Sequence, residues 1–481
     1  LARKPDLFRA LIAALAAAVS FALFLGRPDW NTREVRHAEI AREMWAETHD
    51  YLVPHRNGKI YHDKPPVPYW LMALVFEAAG GHGGPSLGLA RLPSAFAGIV
   101  CVLATLGIGA ALLGGRAGLF AALFLAGTPG FAIMARNTRP DMVLVCFVTV
   151  ACLAAARAAA RPGEGRLAPL LFGLATGLAV LTKGPLGLVI PFGFAIALRG
   201  LEGAGPLRGR AAWRLAALGL ALPVAAWLVP ILFRPDGPSY LRGLFTQEDL
   251  VKGAPGHERP FYHYLLTFPG SIAPTLPFFA LAVSDAVRRR ARAGAPFAMV
   301  AALFLLFSAI PGKRGYYLLP IYPFSALLAA AAADRRWNAH RLWRWAAVLA
   351  AAAPPIVFGI VYGYVLPRLD PPDRDRLFAL EVRRAIPPGA PAATVEQSRL
   401  SDETSFVLER SVLALEDLDA ATAWLGATPE GCLVARVMDR PKIEAALGRP
   451  IDTLVEEAER DPAGTPLLPK QRRAVYRARA P

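Results

Sequence analysis

Blocks of about twenty uncharged apolar residues recur along this chain, each long enough to cross a hydrocarbon core of roughly 30 Å. Leu11–Gly26, Leu92–Leu113, Met142–Ala160, Leu215–Phe233 and Trp345–Val365 are examples, rich in Ala, Leu, Gly, Phe and Val. A soluble chain of 481 residues would form about two or three domains with far fewer such runs, yet 54% of this one is hydrophobic. The chain reads as a polytopic, all-α membrane protein. Its net charge of +16 would suggest a nucleic-acid partner in a soluble protein. In a membrane protein it is topological and sits at the cytoplasmic surface, so no nucleic acid is expected.

Positive charge sets the orientation. Arginines cluster at Arg116, at Arg157, Arg161 and Arg166, at Arg199, Arg208, Arg210 and Arg214, at Arg288 to Arg292, and at Arg335, Arg336, Arg341 and Arg344. These loops follow alternate apolar segments and carry little acid, which places them in the cytoplasm with the N-terminus. The first apolar block follows Arg3, Lys4 and Arg9 but lacks a clear small-residue cleavage site, so it reads as an uncleaved first helix. About eleven spans are expected, rising to about thirteen if Pro-interrupted pieces re-enter. The remaining loops are then extracytoplasmic, the longest at 27–84 and 234–262.

The membrane domain is expected over 1–366. Residues 367–481 are charged and less apolar, as a small soluble α/β domain would be. Ala392–Val395 and Cys432–Val437 have strand character, while Leu413–Leu425 and Pro441–Leu447 look helical. No catalytic motif is visible there, and the reading is a structural or docking role. Cys101, Cys146 and Cys152 lie in apolar spans and Cys432 in the tail. None has metal spacing or forms a disulfide framework, so they read as packing residues.

Chemistry concentrates on the extracytoplasmic loops. Residues 32–46 have helical periodicity, with Ala38, Ala41, Met44 and Trp45 on an apolar face and Arg33, Arg36, Glu39, Arg42 and Glu43 on a polar one. That pattern suits a helix lying in the membrane interface. Further on, Asp63-Lys64 precedes Pro65-Pro66, whose restricted backbone holds both charges at a set position. Arg139-Pro-Asp141, Thr182-Lys183-Gly-Pro185 and Lys313-Arg314-Gly-Tyr316-Tyr317 place ionisable groups at span entrances, where charge is costly and usually functional or paired. Single cations there snorkel; several on one face favour an anion, and phosphate is the natural candidate. The loop from Glu248 to Tyr262 adds carboxylates and His257, which with Asp63 offers an O/N set for a divalent Zn, Mg or Mn ion. No nucleotide cofactor is expected.

These segments resemble a known family. Glu34-Val-Arg-His-Ala-Glu-Ile-Ala-Arg-Glu-Met44, Tyr61-His-Asp-Lys-Pro-Pro66, Arg139-Pro-Asp141, Leu181-Thr-Lys-Gly-Pro185, His257-Glu-Arg-Pro-Phe-Tyr262 and Lys313-Arg-Gly-Tyr-Tyr-Leu-Leu-Pro320 stand in the order found in bacterial lipid-linked glycosyltransferases of the GT-C fold. The resemblance is to the aminoarabinose transferases acting on lipid A, relatives of the protein O-mannosyltransferases, and it covers residues from about 8 to 335. It implies a GT-C membrane domain followed by an extracytoplasmic α/β domain in a bacterial inner membrane. It implies a sugar donor on a polyprenyl phosphate such as undecaprenyl phosphate, and a glycolipid or glycan acceptor. Arg36 and Lys64 would then lie near the donor phosphate, with Lys183, Lys313 and Arg314 as further anion ligands. Asp63 and His257 would hold the metal, and His37, Tyr61, Tyr262, Tyr316 and Tyr317 would line the substrate cavity.

One departure bears on mechanism. Where the family opens its first-loop motif with Asp-Glu, this chain has Arg33-Glu34. The resemblance then leaves four options: Glu34 is the base, Asp141 is the base, the acceptor chemistry differs, or the enzyme is inactive. A protein O-glycosyltransferase, a transporter or flippase of lipid-linked sugars, and a non-catalytic scaffold are the competing readings. The absence of an internal repeat and the position of the charges at loop ends argue against a transporter.

Overall fold

The computed structural model describes residues 4–27, 32–80, 85–161, 166–203, 205, 207–246, 258–288, 294–369, 374–395, 401–462 and 464–479. The chain divides into two compact units. One comprises Leu1–Leu25, His62–Pro68 and Arg91–Tyr364, and the other Gly26–Tyr61, Tyr69–Ala90 and Val365–Pro481.

The first unit is helical throughout and makes the chain a multi-span membrane protein. Among the described residues, Leu87–Leu112, Pro140–Ala160, Gly209–Leu232, Gly315–Arg336 and Arg341–Leu369 are long and apolar enough to cross a membrane. Two bent pairs, Gly115–Ala126 with Pro129–Ala135 (65°) and His263–Ser271 with Ala273–Val287 (84°), raise the number to 7 if each is one span. The other apolar segments expected to span are the helices Lys4–Phe21, Leu167–Lys183, Leu186–Glu202 and Gly294–Ala309, which at about 1.5 Å per residue fall a few ångströms short of the hydrocarbon thickness. The bends fall where Pro129 and Pro274 stand in a first helical turn and withdraw a backbone donor.

Lipid gives helices no hydrophobic push toward one another, so close approach relies on small residues. Helix Leu167–Lys183 meets helix Gly209–Leu232 this way. A Cβ on Gly173 would lie 2.0 Å from the Ala216 carbonyl oxygen, and one on Gly219 would lie 2.4 Å from that of Leu170.

The second unit carries a five-stranded sheet. Its strands are β3 (Ala392–Val395), β4 (Leu413–Leu415), β5 (Cys432–Arg436), β6 (Ile451–Glu456) and β7 (Arg473–Ala478), in the order β4-β3-β5-β7-β6. The strand β3 runs parallel to β4 and β5, while β7 pairs antiparallel with β5 and β6. The segment Leu413–Leu425, expected to be one helix, is instead β4 followed by helix Leu418–Ala427. Asp417 starts that helix by accepting the Ala420 N–H at 2.8 Å, the N-cap role that ends a strand and opens a helix. Leu433, Ala435, Ala474 and Tyr476 face Leu425 and Ile443 in the core on one side of the sheet.

The first-loop helix, Thr32–Glu43, belongs to this unit and corrects a sequence expectation. Three of its polar positions do not face water. Glu39, Arg42 and Glu43 are as fully buried as Val35, Ala38 and Ile40. Each buried charge has a partner, as burial demands. Arg42 donates twice to Glu39, at 2.7 and 2.6 Å, and pairs with Glu47 at 2.9 Å. Glu43 accepts the Asn57 and Gly58 N–H groups at 2.7 and 2.9 Å. Those donors belong to a tight hairpin joining β1 (His55–Arg56) to β2 (Lys59–Ile60). Both its turn residues have positive φ, 53° at Asn57 and 74° at Gly58, which suits the Asn-Gly pair.

Candidate active site

Within the helical unit, two helix ends meet charge to charge. Asp141 lies in the first turn of Pro140–Ala160 and Lys183 is the last residue of Leu167–Lys183. The Lys183 ammonium donates to Asp141 Oδ1. Each charge stands at the helix end its sign prefers: an acid where N–H groups are unsatisfied, a cation where carbonyls are. Gly184, at φ 72°, reverses the chain directly after Lys183, and Pro140 at N1 starts the other helix. The structure thus pairs a residue expected as a base with one expected as a phosphate ligand.

Aromatic rings from the segment Gly315–Ile321 cover this pair. Lys183 Nζ lies 5.4 Å from the ring centres of both Tyr316 and Tyr317. The Arg139 guanidinium stacks on Tyr316 at 4.5 Å. Arg314 donates to the Tyr316 hydroxyl at 2.6 Å. The Arg314 backbone is fixed in turn by Tyr264, whose hydroxyl accepts its N–H at 3.0 Å and donates to its carbonyl at 2.9 Å. Asp141, Lys183, Tyr316 and Tyr317 line one small cleft with Leu144 and Phe307. Beside Arg314, Lys313 is only 5% exposed and donates to the Ile310 carbonyl at 2.7 Å. It has no carboxylate partner among the described residues. Arg139, Lys183 and Arg314 therefore gather on Tyr316, and Asp141 is the carboxylate that pairs with Lys183. An excess of cations at membrane depth is what an anion site requires.

Arg136 does something else. It donates to the Ser20, Leu23 and Phe24 carbonyls at 3.2, 2.6 and 3.2 Å and stacks on Tyr362 at 3.9 Å. It closes the C-terminal end of helix Lys4–Phe21, a place suited to a cation.

Of the other expected residues in this unit, Asp63 is exposed and Lys64 half-buried. Lys64 Nζ donates to the Asp63 carbonyl at 2.7 Å. The Pro65-Pro66 pair leads directly into helix Val67–Ala78. Tyr262 is 46% exposed, with its ring against Phe261 at 5.5 Å. His257 lies outside the described residues. Among those described, no group of three or more His, Cys, Asp or Glu side chains is placed to hold a metal ion.

The remaining expected residues lie in the second unit. Glu34, His37 and Tyr61 are buried. His37 Nδ1 lies 3.2 Å from the Tyr69 hydroxyl with the rings stacked at 6.0 Å, and Tyr61 meets Tyr69 edge-on. Arg36 pairs with a carboxylate from the far end of the chain, Asp402, through Nε at 3.2 Å. Arg56 grips the same carboxylate with two bonds, at 2.6 and 2.9 Å, and Asn57 adds a third donor at 3.3 Å.

Sequence reasoning missed Asp402, because nothing in the tail marks one buried aspartate among many exposed ones. Tyr264 was also missed, although it stands two residues beyond the Pro-Phe-Tyr262 motif. Arg139 was visible in its motif, but not its stacking on Tyr316.

With this geometry in place, the fold defines the class. The chain matches ArnT from Cupriavidus metallidurans in the apo state with a TM-score of 0.76 and 19% identity, over 99% of this chain and 98% of that one. The match to the same protein bound to undecaprenyl phosphate has a TM-score of 0.74 at 18% identity, over 99% of each chain. This is the GT-C fold of lipid-linked glycosyltransferases, followed by a small α/β domain. In sequence, residues 63–228 match the family described as dolichyl-phosphate-mannose-protein mannosyltransferase. The undecaprenyl phosphate-alpha-4-amino-4-deoxy-L-arabinose arabinosyl transferase of Edwardsiella ictaluri is 30% identical over 334 residues, 64% of this chain and 56% of that protein. The chain spans a little over half the length of the curated relatives it matches. The chain has the GT-C fold and is similar in sequence to the aminoarabinose transferases and, over residues 63–228, to the protein mannosyltransferase family.

Proposed function

We propose that this protein is a glycosyltransferase of a bacterial inner membrane that moves a sugar from a polyprenyl-phosphate donor to lipid A or another envelope glycolipid on the extracytoplasmic side. The N-terminus is cytoplasmic and residues 367–481 are extracytoplasmic in this reading. The observation that carries it is the gathering of Arg139, Lys183 and Arg314 on Tyr316 beside one ion-paired carboxylate, Asp141, with buried Lys313 next to Arg314 in the chain.

In transfer, an acceptor oxygen bonds to the anomeric carbon as the bond from that carbon to the donor phosphate breaks. The phosphate leaves with the electron pair, and its growing charge is what Lys183, Lys313 and Arg314 stabilise. Lys64 and Arg36 belong to the same reading as donor ligands. A hydroxyl acceptor must also lose a proton, to Glu34 or Asp141. An acceptor oxygen that is already ionised, as on a phosphate monoester, needs no strong base. Such an acceptor is compatible with Arg33 standing where the family has its Asp, and it favours a phosphorylated glycolipid over a serine or threonine hydroxyl. A divalent ion at Asp63 and His257 would be an addition to this scheme. Loss of transfer on chelation, restored by one metal, is its test.

The test of the function is covalent transfer by the purified protein in proteoliposomes, given undecaprenyl-phosphate aminoarabinose and lipid A and read as a mass shift. Abolition by Lys64→Ala and Lys183→Ala is expected. Full activity in both variants would remove the phosphate role. Passage of the donor across the bilayer with no mass shift would make the protein a flippase.

A further inference from the structure

A second cationic site lies in the helical unit, built from other residues. Arg199, in the last turn of helix Leu186–Glu202, and Arg208, Arg210 and Arg214, at the start of helix Gly209–Leu232, line one cleft of about 790 Å³ together with Trp213. Among the described residues, no acidic side chain lines it. None of these arginines has a carboxylate partner among the described residues; Arg208 donates to the Gly203 carbonyl at 3.3 Å. The adjacent acid, Glu202, is turned to another task and accepts the Ala295 N–H at 3.0 Å.

A bias of arginine toward one membrane face accounts for the sign of these charges. It does not account for all four lining the same cleft, where their like charges favour a bound anion. Arginine is the side chain whose planar fork matches a phosphate. Two further features point to an amphiphile. The Trp213 indole, half-exposed and stacked on Phe192 at 6.3 Å, is of the kind that anchors at a lipid headgroup boundary. The end of helix Leu186–Glu202 that supplies Arg199 also supplies Leu201 and Glu202 to a neighbouring cleft of about 330 Å³, which has an apolar wall of Leu112, Ala282, Leu327 and Leu328 and a polar rim of Glu202 and Arg335. A cationic cleft and one with an apolar wall thus share a helix end.

We propose that Arg199, Arg208, Arg210 and Arg214 form a binding site for the phosphate headgroup of an anionic phospholipid, with an acyl chain along the apolar wall of the adjoining cleft. The site is independent of the sugar-transfer reading. The experiment is native mass spectrometry of the full chain in detergent, titrated separately with cardiolipin, phosphatidylglycerol and phosphatidylethanolamine. The variants are R210Q/R214Q and, with the same loss of charge elsewhere on the surface, R341Q/R344Q. Wild type and R341Q/R344Q should retain the anionic lipids, and R210Q/R214Q should retain them about tenfold more weakly or less, with an unchanged melting temperature. Equal retention by both variants, high or low, would overturn the site. Inorganic phosphate is the second probe. If it binds the cleft with the same arginine dependence while the protein shows no preference for anionic lipid, the lipid assignment falls.

Discussion

Lys183, the last residue of one membrane helix, donates its ammonium hydrogen to the carboxylate of Asp141, in the first turn of another. Their side chains are 17% and 9% exposed, so removing one charge strands the other in a poorly solvated place. Lys183→Ala should cost about 3–5 kcal/mol of stability. The double variant Lys183→Met with Asp141→Asn should recover most of it while transfer stays lost. Thermal melts in nanodiscs alongside the transfer assay separate the two effects. Equal melting temperatures for the single and double variants would mean that the pair is not coupled.

Tyr316 offers a hydroxyl to Arg314 and a ring face to Arg139 and Lys183. Tyr316→Phe keeps the ring and loses one charge-assisted hydrogen bond, which should lower transfer by about tenfold. Tyr316→Ala loses both and should lower it by roughly a hundredfold. Identical losses in the two would assign the whole effect to the hydroxyl.

Asp402 neutralises Arg36 and Arg56 from a side chain that is 1% exposed. Asp402→Ala leaves two guanidiniums facing each other without a counter-charge and should cost about 3–5 kcal/mol. Hydrogen exchange should accelerate at the hairpin His55–Ile60 and in helix Ser401–Leu408. Unchanged protection at both would show that the carboxylate is dispensable.

Glu457 in the sheet domain accepts from Arg374 and from Arg473, the latter through two guanidinium bonds at 3.0 and 2.8 Å. Burial raises its carboxyl, and the bonds and charges of the two arginines outweigh that, so the group lies below the ordinary glutamate range. A depressed folded pKa means that the unfolded chain binds the proton first as pH falls. The stabilisation is therefore full above about pH 4.5 and is lost as pH drops through the folded value. Denaturant midpoints followed through β7 should fall on acidification below that point. Glu457→Gln should be less stable at pH 7 and show a flatter acid limb. A variant with an unchanged acid limb would place the effect in another carboxylate.

Gly173→Val would drive side-chain atoms into the backbone of helix Gly209–Leu232, which a Cβ already meets at 2.0 Å. Overpacking at a rigid contact costs about 1–3 kcal/mol or more. Yield of folded protein should fall, whereas Gly200→Val, with nothing within 4 Å of a Cβ, should be tolerated.

The membrane class was readable because a spanning helix is a local property, and every apolar block expected to span is helical. The short motifs were readable too, since Thr-Lys-Gly-Pro carries both its helix stop and its cation within four residues. What could not be read was pairing across the chain. Periodicity gave helix Thr32–Glu43 a polar face but could not show whether water or partners lie against it. The partners prove to be Glu47 and the hairpin amides of Asn57 and Gly58. Similarly, Arg36 had the look of an anion ligand, and only the folded chain reveals Asp402 against it. The helix expected over Leu413–Leu425 failed because Asp417, the residue that opens the real helix, went unrecognised as a cap.

The grip of Arg56 on Asp402 spans 346 residues of sequence. At a synthesis rate of about 5–20 residues per second, the first loop waits roughly 20–70 s after its own translation before Asp402 exists to close on it. During that interval Arg36 and Arg56 lack this counter-ion, and the loop depends on its local contacts from Glu39, Arg42 and Glu43. A nascent chain stalled before residue 402 should therefore expose the 27–60 segment to added protease, and release of the stall should protect it.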